Sequence, residues 1–296
     1  LSFTHPLTAN SALQVNNGTL ILEGGANADN LSLALSATAL QLSGDLSLGS
    51  GEFQLDNVSA LELQGDATLA RNGEFNLPDL RLGGHALSLA TSVTELVVRG
   101  SLSIADNESL DSDNATLRLN SGGSVTGTGR LDVGGAILEL QGRLAVSGRL
   151  VLDNTTSFNL NDHALDLSGG TIESQGATVE WANFVTDNAT RLTLEGDTEV
   201  SSTSPFTLGA LTLNGHALQL GEESSGLTLP NPLVLENAAS QLDTGSADLT
   251  LESPLQLDAG ALTSTAGTLT FANGLALGTG GTLDVSGSTV SVSETL

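Results

Sequence analysis

Residues 227–277 read LTLPNPLVLENAASQLDTGSADLTLESPLQLDAGALTSTAGTLTFANGLAL. Within this stretch the segments LTLPNPLVL, LTLESPLQL and LTFANGLAL begin at Leu227, Leu249 and Leu269, so one pattern recurs at intervals of 22 and then 20. Apolar and polar residues alternate in each copy, which places the apolar side chains on one face of a strand. Leucine favours helices, but a spacing of two residues predicts strands here.

The same period extends through most of the chain. Only seven Phe occur, yet Phe53 and Phe75 are separated by an interval of 22, as are Phe184 and Phe206. When the first apolar residue of each unit is taken as an anchor, the intervals lie between 20 and 22, with one larger interval of 26 after Phe158. The anchors are Leu31, Phe53, Phe75, Leu96, Leu117, Leu138, Phe158, Phe184, Phe206, Leu227, Leu249, Leu269 and Val290.

Each repeat contains two or three alternating segments separated by Gly, Asn, Asp, Ser and Pro, which favour turns. A unit of about 21 residues cannot bury its apolar face alone, so it must stack on the next unit. The sequence therefore predicts an all-β fold, a right-handed parallel β-helix (β-solenoid) with about 21–22 residues per coil, stacked at about 4.8 Å. Leucine-rich repeats have a similar period, but a helix or 3₁₀ segment follows each of their strands, which makes them the less favoured alternative.

The repeats run without a linker or a change in composition, so we expect residues 1–296 to form a single β-solenoid domain. Residues 1–30 fit the period poorly and predict an irregular first coil. Residues 158–183 predict an enlarged coil with a protruding loop. Open coil ends are sheet edges that normally need covering. We therefore expect that the sequence is an excerpt of a longer chain, or that its ends stack on neighbouring subunits.

Composition limits the functions that the chain can perform. The sequence contains 34 acidic residues, eight Arg and no Lys. The resulting net charge of -26 disfavours nucleic acid and anionic membranes as partners. The absence of Cys excludes a disulfide framework, a thiolate nucleophile and a Cys-ligated metal. No apolar run approaches the roughly 18 residues of a membrane helix, so we expect no membrane insertion of this segment.

Three histidines occur in similar segments, LGGHALSL, LNDHALDL and LNGHALQL, at His85, His163 and His216. His85 and His216 would lie six coils apart, about 29 Å at the strand spacing. The ligands of one zinc ion lie within about 2.1 Å of it. The pattern therefore predicts histidine at a repeated turn rather than a metal site.

The densest acidic cluster is DNESLDSDN, residues 106–114, with Asp106, Glu108, Asp111 and Asp113. Calcium favours such oxygen-rich loops. The glycine and the terminal glutamate of an EF-hand loop are missing, as are tandem glycine-rich nonapeptides. A solvated turn is the favoured interpretation, and calcium binding stays open at this point.

The enlarged coil is where we would look for catalysis, because protruding loops concentrate functional residues. It contains Trp181, the only Trp, close to Glu173 and Glu180, and Arg191 follows it. The alternative interpretation is that Trp181 caps the core at the bulge. The motifs GxSxG, GxGxxG and the P-loop are absent, so we expect no enzyme, no catalytic residues and no cofactor.

The segments LTLNGHALQLG (211–221), TLTFANGLALGTGGTLDVSG (268–287) and GRLDVGGAILELQGRLAVSGRLVLDN (129–154) resemble a known class of repeats. They are similar to the passenger repeats of bacterial autotransporters, filamentous-haemagglutinin-type exoproteins and large surface adhesins. The resemblance rests on the pattern of the repeats and on their composition, and it covers most of the chain. It implies a secreted right-handed β-helix at the bacterial cell surface that acts as a stalk or adhesive surface, and it carries over no binding residues.

We therefore expect a non-enzymatic extracellular rod or fibre segment, structural or adhesive, whose partners are surface glycans or further copies joined end to end. The alternative is a carbohydrate-active β-helix, similar to polysaccharide lyases or tailspike glycosidases. Those enzymes gather acidic groups in one groove, and lyases add a basic residue, whereas residues 192–296 contain no Arg or Lys. Acidic side chains that converge on one groove would favour an enzyme, and an even scatter would favour a rod.

Overall fold

The computed structural model describes residues 1–8, 11–28, 30–56, 59–181 and 183–293. These residues form strands and turns without a helix, and the strands stack in parallel about 21 residues apart. The fold is therefore a β-solenoid, with about 14 turns in all, as the sequence predicts. The chain divides into two compact units, Leu1–Arg149 with Ser157–Ala164 and Leu150–Thr156 with Leu165–Leu296.

In the first unit, three short strands make up most turns, and strands of successive turns pair in parallel within sheets. The sheet orders are β1-β2-β4-β7-β10, β3-β5-β8-β11-β14-β17, β9-β12-β15-β18-β21 and β13-β16-β19, and β6 also pairs with β4. The strands are β1 (Ser2–Phe3), β2 (Ala12–Leu22), β3 (Ala26–Asn27), β4 (Ser32–Leu42), β5 (Leu46–Ser47), β6 (Phe53–Leu55), β7 (Ala60–Leu63), β8 (Ala67–Ala70), β9 (Gly73–Leu77), β10 (Leu80–Arg81), β11 (Ala86–Leu89), β12 (Val93–Val98), β13 (Leu102–Ile104), β14 (Ser109–Asp111), β15 (Thr116–Leu119), β16 (Gly123–Val125), β17 (Arg130–Asp132), β18 (Ile137–Leu140), β19 (Leu144–Val146), β20 (Arg149–Asp153), which begins here, and β21 (Ser157–Asn159).

The second unit has the same construction. Its sheet orders are β22-β25, β23-β26-β29, β24-β27-β30-β33-β36-β39, β28-β31-β34-β37-β40 and β32-β35-β38. The strands are β22 (Leu165–Asp166), β23 (Thr171–Gln175), β24 (Thr178–Glu180), β25 (Phe184–Val185), β26 (Arg191–Gly196), β27 (Thr198–Ser201), β28 (Phe206–Thr207), β29 (Ala210–Thr212), β30 (Ala217–Leu220), β31 (Gly226–Leu229), β32 (Leu233–Leu235), β33 (Gln241–Asp243), β34 (Asp248–Leu251), β35 (Leu255–Leu257), β36 (Ala261–Thr263), β37 (Thr268–Phe271), β38 (Leu275–Leu277), β39 (Thr282–Asp284) and β40 (Thr289–Val292).

The strand register confirms most of the anchor residues. In the first unit, the pairs 75↔96, 96↔117, 117↔138 and 138↔158 lie directly opposite one another. In the second, the same holds for the pairs 206↔227, 227↔249, 249↔269 and 269↔290. The rings of Phe53 and Phe75 meet edge to face with their centroids 5.0 Å apart, as their spacing of 22 predicts. The first anchor is wrong by two positions, because Phe53 pairs with Leu33 and not with Leu31.

The region of residues 1–30 is more regular than expected. Strand β2 pairs with β4 from Ala12 to Leu22, and the offset between partners stays constant at 20. Of the described residues before Ala12, those of β1 pair with the end of β2, and Leu7 bridges to Ala26.

The enlarged coil predicted for residues 158–183 is wrong. Phe184 pairs with Leu165, an offset of 19, so the interval of 26 counted from Phe158 does not measure one turn. The pairs that follow, Ile172↔Leu192 and Val179↔Val200, keep offsets of 20 and 21. The described residues of this region therefore keep the ordinary repeat period.

Stacked apolar side chains form the core of each unit. Leu96, Leu117 and Leu138 are completely buried in the first unit, and so are Leu249 and Leu269 in the second. Burial of a leucine side chain stabilises the folded state by about 1.5–3 kcal/mol. Since each residue has a counterpart directly above and below it, each row continues from turn to turn.

Buried hydroxyl groups hold the corners where the chain changes direction. Thr190 is completely buried, and its Oγ1 donates a hydrogen bond to the carbonyl oxygen of Leu167 one turn earlier, at 2.9 Å. Ser59 and Ser224 donate in the same way to Leu35 and Val200, at 3.4 and 3.1 Å. These bonds satisfy polar groups that would otherwise be costly to bury.

Asp187 stabilises one such corner. Its Oδ1 accepts hydrogen bonds from the backbone N–H groups of Gly169, Ala189 and Thr190 at 2.9–3.0 Å, and from Thr190 Oγ1 at 3.0 Å. Burial by itself would raise the pKa of this carboxyl, but the hydrogen bonds outweigh it and hold the pKa below its ordinary value of 3.8.

We expect Asp187→Asn to lower the free energy of unfolding by about 1–2 kcal/mol at pH 7, because an amide accepts these bonds more weakly than a carboxylate. A lowered folded-state pKa stabilises the protein above the unfolded pKa, and this stability is lost as the pH falls through the folded pKa. The difference between variant and wild type should therefore shrink below about pH 4. Urea unfolding, monitored by the fluorescence of Trp181 at several pH values, measures this difference in stability.

Asp248→Asn is the control, because that carboxylate accepts a hydrogen bond from Thr268 N across one turn, without the four donors that meet at Asp187. Its effect should be smaller at pH 7. An Asp187→Asn deficit that stays constant from about pH 7 down to about pH 2.5, well below the ordinary carboxyl pKa, would contradict the assignment.

Candidate functional site

The three histidines occupy the same kind of tight turn, as the repeated segments predict. Two residues with positive φ precede each of them, and each histidine N–H donates to the carbonyl oxygen three residues earlier, at 2.8–3.1 Å. His85 and His216 each place Nδ1 3.7 Å from an aspartate Oδ1, of Asp66 and Asp197 respectively. Within the part of the chain that the structure describes, no three His, Asp or Glu side chains are arranged to hold a metal ion.

The acidic cluster at residues 106–114 forms two tight turns, one on each side of strand β14. Asp106 Oδ1 accepts from Thr128 N at 2.7 Å, and the two oxygens of Glu108 accept from Gly84 N and Ala105 N at 2.9 and 2.7 Å. Asp111 Oδ1 accepts from the N–H of Asp113 at 3.0 Å. These carboxylates therefore bind backbone groups of their own and neighbouring turns, which favours the interpretation as turns over a calcium loop.

Trp181 belongs to the core. Only 4% of its surface is exposed, and its ring stacks on Phe184 at 5.6 Å and meets Phe206 edge to face at 4.7 Å. Its backbone N–H donates to Ser201 O at 2.7 Å, which fixes it against the next turn. The interpretation of Trp181 as a core residue is therefore correct, although it does not lie at a bulge.

The residues that sequence analysis grouped around Trp181 lie on three strands of two sheets. Glu173 lies on β23 opposite Thr193, and Arg191 lies opposite Thr171 at the start of β26. Glu180 ends β24 opposite Ser201. Of these residues, Glu180 lines a groove on the surface of the second unit, and we consider this groove the candidate functional site.

The groove has a volume of about 420 Å³. Glu180 and Glu199 line it from strands β24 and β27, and Glu222 and Glu223 line it from the loop after β30. The hydroxyl-bearing residues Ser201, Ser202 and Thr203 complete its polar wall. Four acidic residues and three hydroxyl-bearing residues therefore line one concave surface.

Local hydrogen bonds fix the loop that carries Glu222 and Glu223. Ser224 is buried, its Oγ donates to Val200 O at 3.1 Å, and it accepts from Ser202 N at 3.2 Å. Gly221 begins the loop, and a Cβ at this position would lie 2.0 Å from Ser201 Oγ. A larger residue here would therefore require the Ser201 hydroxyl to rotate away.

Sequence analysis missed Glu199, Glu222 and Glu223. The register places Thr178 opposite Glu199, an offset of 21 that matches the repeat period. The repeat period of about 21 residues would have placed Glu199 opposite Thr178, but the interval of 26 assigned to this region concealed that pairing. The anchor rows describe inward residues, and the groove is formed by outward residues of a different sheet.

The charge of the groove limits its ligands. Its lining contains no basic side chain, and Arg191 is the only arginine in the sequence of the second unit. Carboxylates and hydroxyls can accept hydrogen bonds from neutral sugars, whereas an acidic polysaccharide would be repelled.

Arg118 and Arg81 of the first unit bind carboxylates of neighbouring turns. Arg118 lies between Glu95 and Glu139 of the adjacent turns, at 3.0 and 3.1 Å. Arg81 contacts Glu62 at 2.6 Å and Asp79, two residues before it in the chain, at 2.8 Å. The hydrogen bond with Glu139 contributes most to raising the pKa of the Arg118 guanidinium above its ordinary value. These arginines tie turns together.

Comparison with protein-family models, with curated proteins and with solved structures yields no match to this chain. In the described part of the chain, no helix is long and apolar enough to cross a membrane. The function must therefore be argued from the residues themselves.

Proposed function

We propose that the chain is a non-enzymatic structural or adhesive rod, a segment of a fibre that acts outside the cell on a bacterial surface. The location follows from the resemblance of its repeats to those of surface adhesins. The observation that carries the structural role is the use of corner carboxylates as ties between turns. The side chains of Asp45, Asp66, Asp197 and Asp248 each accept a backbone N–H of the following turn, at 2.8–2.9 Å.

This arrangement suits a load-bearing element. Backbone bonds, stacked leucines and aspartate ties all join one turn to its neighbours, so stability is distributed along the repeats. A pull on the chain therefore acts on one end turn at a time. Acidic side chains at the corners keep the surface charged, which favours solubility.

Single-molecule pulling through handles at the two chain ends tests the structural role. We expect a stepwise force–extension curve in which each step releases one turn of about 21 residues, roughly 70 Å of extended chain. Phe75→Ala should lower the force of a few steps, and Ile137→Ala, which removes a half-exposed side chain, should not. Release of each unit in one low-force event would contradict a load-bearing stack.

The groove supports a second candidate, a carbohydrate-active β-helix. Glycosidases work with a pair of carboxylates on either side of the scissile bond. Glu180 and Glu199 lie on adjacent strands of one sheet and both line the groove, which makes them the pair to test. The surrounding negative charge favours a neutral polysaccharide as substrate over an acidic one.

Release of reducing ends from neutral and acidic polysaccharides distinguishes the two candidates. The rod predicts no release above buffer from either class. Release from neutral substrates that falls at least about 100-fold in Glu180→Gln or Glu199→Gln, but not in Glu252→Gln outside the groove, would establish the enzyme instead. Binding of neutral glycans without release, lost in the same two variants, would identify the adhesive surface.

A further inference from the structure

The strand ladders of the second unit are interrupted between β29 and β32. Strand β29 pairs with β26 of the turn before it and is the last strand of its sheet, whereas β32 begins a new sheet and pairs with β35 of the turn after it. Most Cα–Cα distances between β29 and β32 exceed 8 Å. Since paired strands lie about 4.8 Å apart, a gap separates two successive turns inside the stack.

The gap arises where the later turn is longer than the earlier one. Thr207 lies opposite Thr228, an offset of 21, but Ala217 lies opposite Gln241, an offset of 24. The later turn therefore has three additional residues between these points. Pro232, directly before β32, has no N–H group to donate to the earlier turn. The two strands consequently lack the common register that pairs the strands on either side of them.

Backbone groups of both strands point into the gap. The N–H of Ala210 donates to the previous turn at 3.3 Å, and alternate residues of a strand direct their backbone groups to opposite sides. The N–H and C=O of Leu211 are therefore directed towards β32. On the other side, Leu235 O accepts from Asp258 N of the following turn at 3.1 Å, so the groups of Val234 are directed towards β29.

The inward row of side chains is incompletely covered at the gap. Ile172, Leu192 and Leu211 lie opposite one another in successive turns. The first two are 1% exposed, whereas Leu211 is only partly buried. Leu211 lines a cavity of about 650 Å³ together with Val234, which is 43% exposed. The volume lies within the usual range of ligand sites, about 300–1,000 Å³.

Glu236 supplies the charge of this cavity. It is the only charged residue of the lining, and its side chain is exposed. Among the described residues, its carboxylate has no hydrogen-bond or ion-pair partner. A carboxylate in this position attracts a basic group on a ligand and repels an acidic one.

We infer that the gap binds an extended peptide of another protein as an additional strand, parallel to β29 and β32. A strand carries donors and acceptors on both edges, so it can bond to Leu211 on one side and to Val234 on the other. Insertion of one strand requires about twice the strand spacing, roughly 9.6 Å, which is consistent with the separation of β29 and β32.

The two faces of the gap define the side chains of the peptide. Successive side chains of a strand lie on opposite faces, so one set would cover Leu211 and the other would lie on the side of Glu236. The first set must be apolar, because it completes the inward row. The second must include a basic residue, because it meets the free carboxylate. The expected ligand is therefore a peptide in which apolar and basic residues alternate.

This inference adds a peptide partner to the proposed adhesive rod, and it can fail separately from that proposal. The stepwise unfolding expected of the rod depends on the stacked turns and not on an occupant of the gap. Stepwise unfolding without peptide binding would retain the rod and reject the site. Peptide binding without stepwise unfolding would do the reverse.

Fluorescence anisotropy of a labelled peptide, VKLKV with both ends blocked, tests binding to the 296-residue chain. At about 0.15 M salt, which screens the general negative charge, we expect saturable binding of one peptide per chain. The peptide KKVLV has the same composition and charge but lacks the alternation, and it should bind at least about 10-fold more weakly. Equal binding of the two peptides, or no saturation up to about 1 mM VKLKV, would overturn the inference.

Glu236→Lys should weaken the binding of VKLKV by about 10-fold, because attraction becomes repulsion. Glu252→Lys is the matched control, since Glu252 is also exposed, lies outside the cavity and gives the same change in charge. It should bind like the wild type. Circular dichroism should show that both variants are folded, and equal weakening in the two would overturn the assignment of the site.

A modified peptide separates strand pairing from attraction between charges. Methylation of the backbone nitrogen of the central leucine leaves the charge of VKLKV unchanged and removes a hydrogen-bond donor from the middle of the strand. We expect binding to fall by about 10-fold or more. Unchanged affinity would show that the peptide does not bind as a strand and would overturn the inference.

Discussion

Gly122→Ala lowers the free energy of unfolding by about 3 kcal/mol or more, from two separate causes. Gly122 has a φ of +67°, which costs an alanine roughly 1–2 kcal/mol. An added Cβ would also lie 2.0 Å from the carbonyl oxygen of Arg143 in the next turn. That oxygen accepts the backbone hydrogen bond of Gly123 at 3.0 Å, so moving it breaks a bond between turns.

Gly84→Ala separates the two causes. Gly84 has a φ of +87°, but an added Cβ would meet no atom within 4 Å. The free energy of unfolding of this variant should therefore fall only by the cost of placing alanine at a positive φ, about 1–2 kcal/mol. Urea unfolding of both variants, followed by far-ultraviolet circular dichroism, gives the comparison. Equal losses would show that the close approach of turns at Gly122 does not constrain the fold.

Phe75→Ala should destabilise the first unit by about 3–5 kcal/mol, the usual range for removal of a buried phenylalanine. The ring is completely buried between turns, opposite Leu96 and edge-on to Phe53. Truncation leaves a cavity in the middle of a row, because the residues above and below are held by their own strands. The aromatic pair contributes about 0.5–1.5 kcal/mol of this loss.

Ile137→Ala is the control for this prediction. Ile137 belongs to β18 of the same sheet, but its side chain is 45% exposed. Its truncation should cost less than about 1 kcal/mol, since little apolar area is buried there. Thermal and urea unfolding monitored by circular dichroism measure both variants. A Phe75→Ala loss no greater than that of Ile137→Ala would contradict the stacked core.

The regular part of the fold could be predicted because its signal is local and repeated. Alternating Leu, Val and Phe identify strands within a few residues, and the spacing of Phe53 and Phe75 identifies the period. Since every turn must place an apolar residue over the previous one, a constant spacing in sequence becomes a constant register in space. This is why the row from Phe75 to Phe158 can be predicted residue by residue.

The prediction failed where the sequence offered two apolar residues for one row. Phe158 and Phe184 resemble successive anchors, but Phe184 lies opposite Leu165 in a different sheet. The error produced an enlarged coil that does not exist and directed attention to Trp181, which is buried. It also separated Glu180 from Glu199, which the register brings to one surface.

The amino-acid sequence by itself determined that this protein is a stack of parallel coils with leucine-rich interior rows and a period of about 21 residues. Alternation along a strand is a property of neighbouring residues, so it can be read without knowing the fold. The tertiary structure alone decided which strands pair in the second unit and which outward side chains share a groove there. Those features depend on how many residues each corner takes up, because a change of one residue there turns every following side chain to the opposite face.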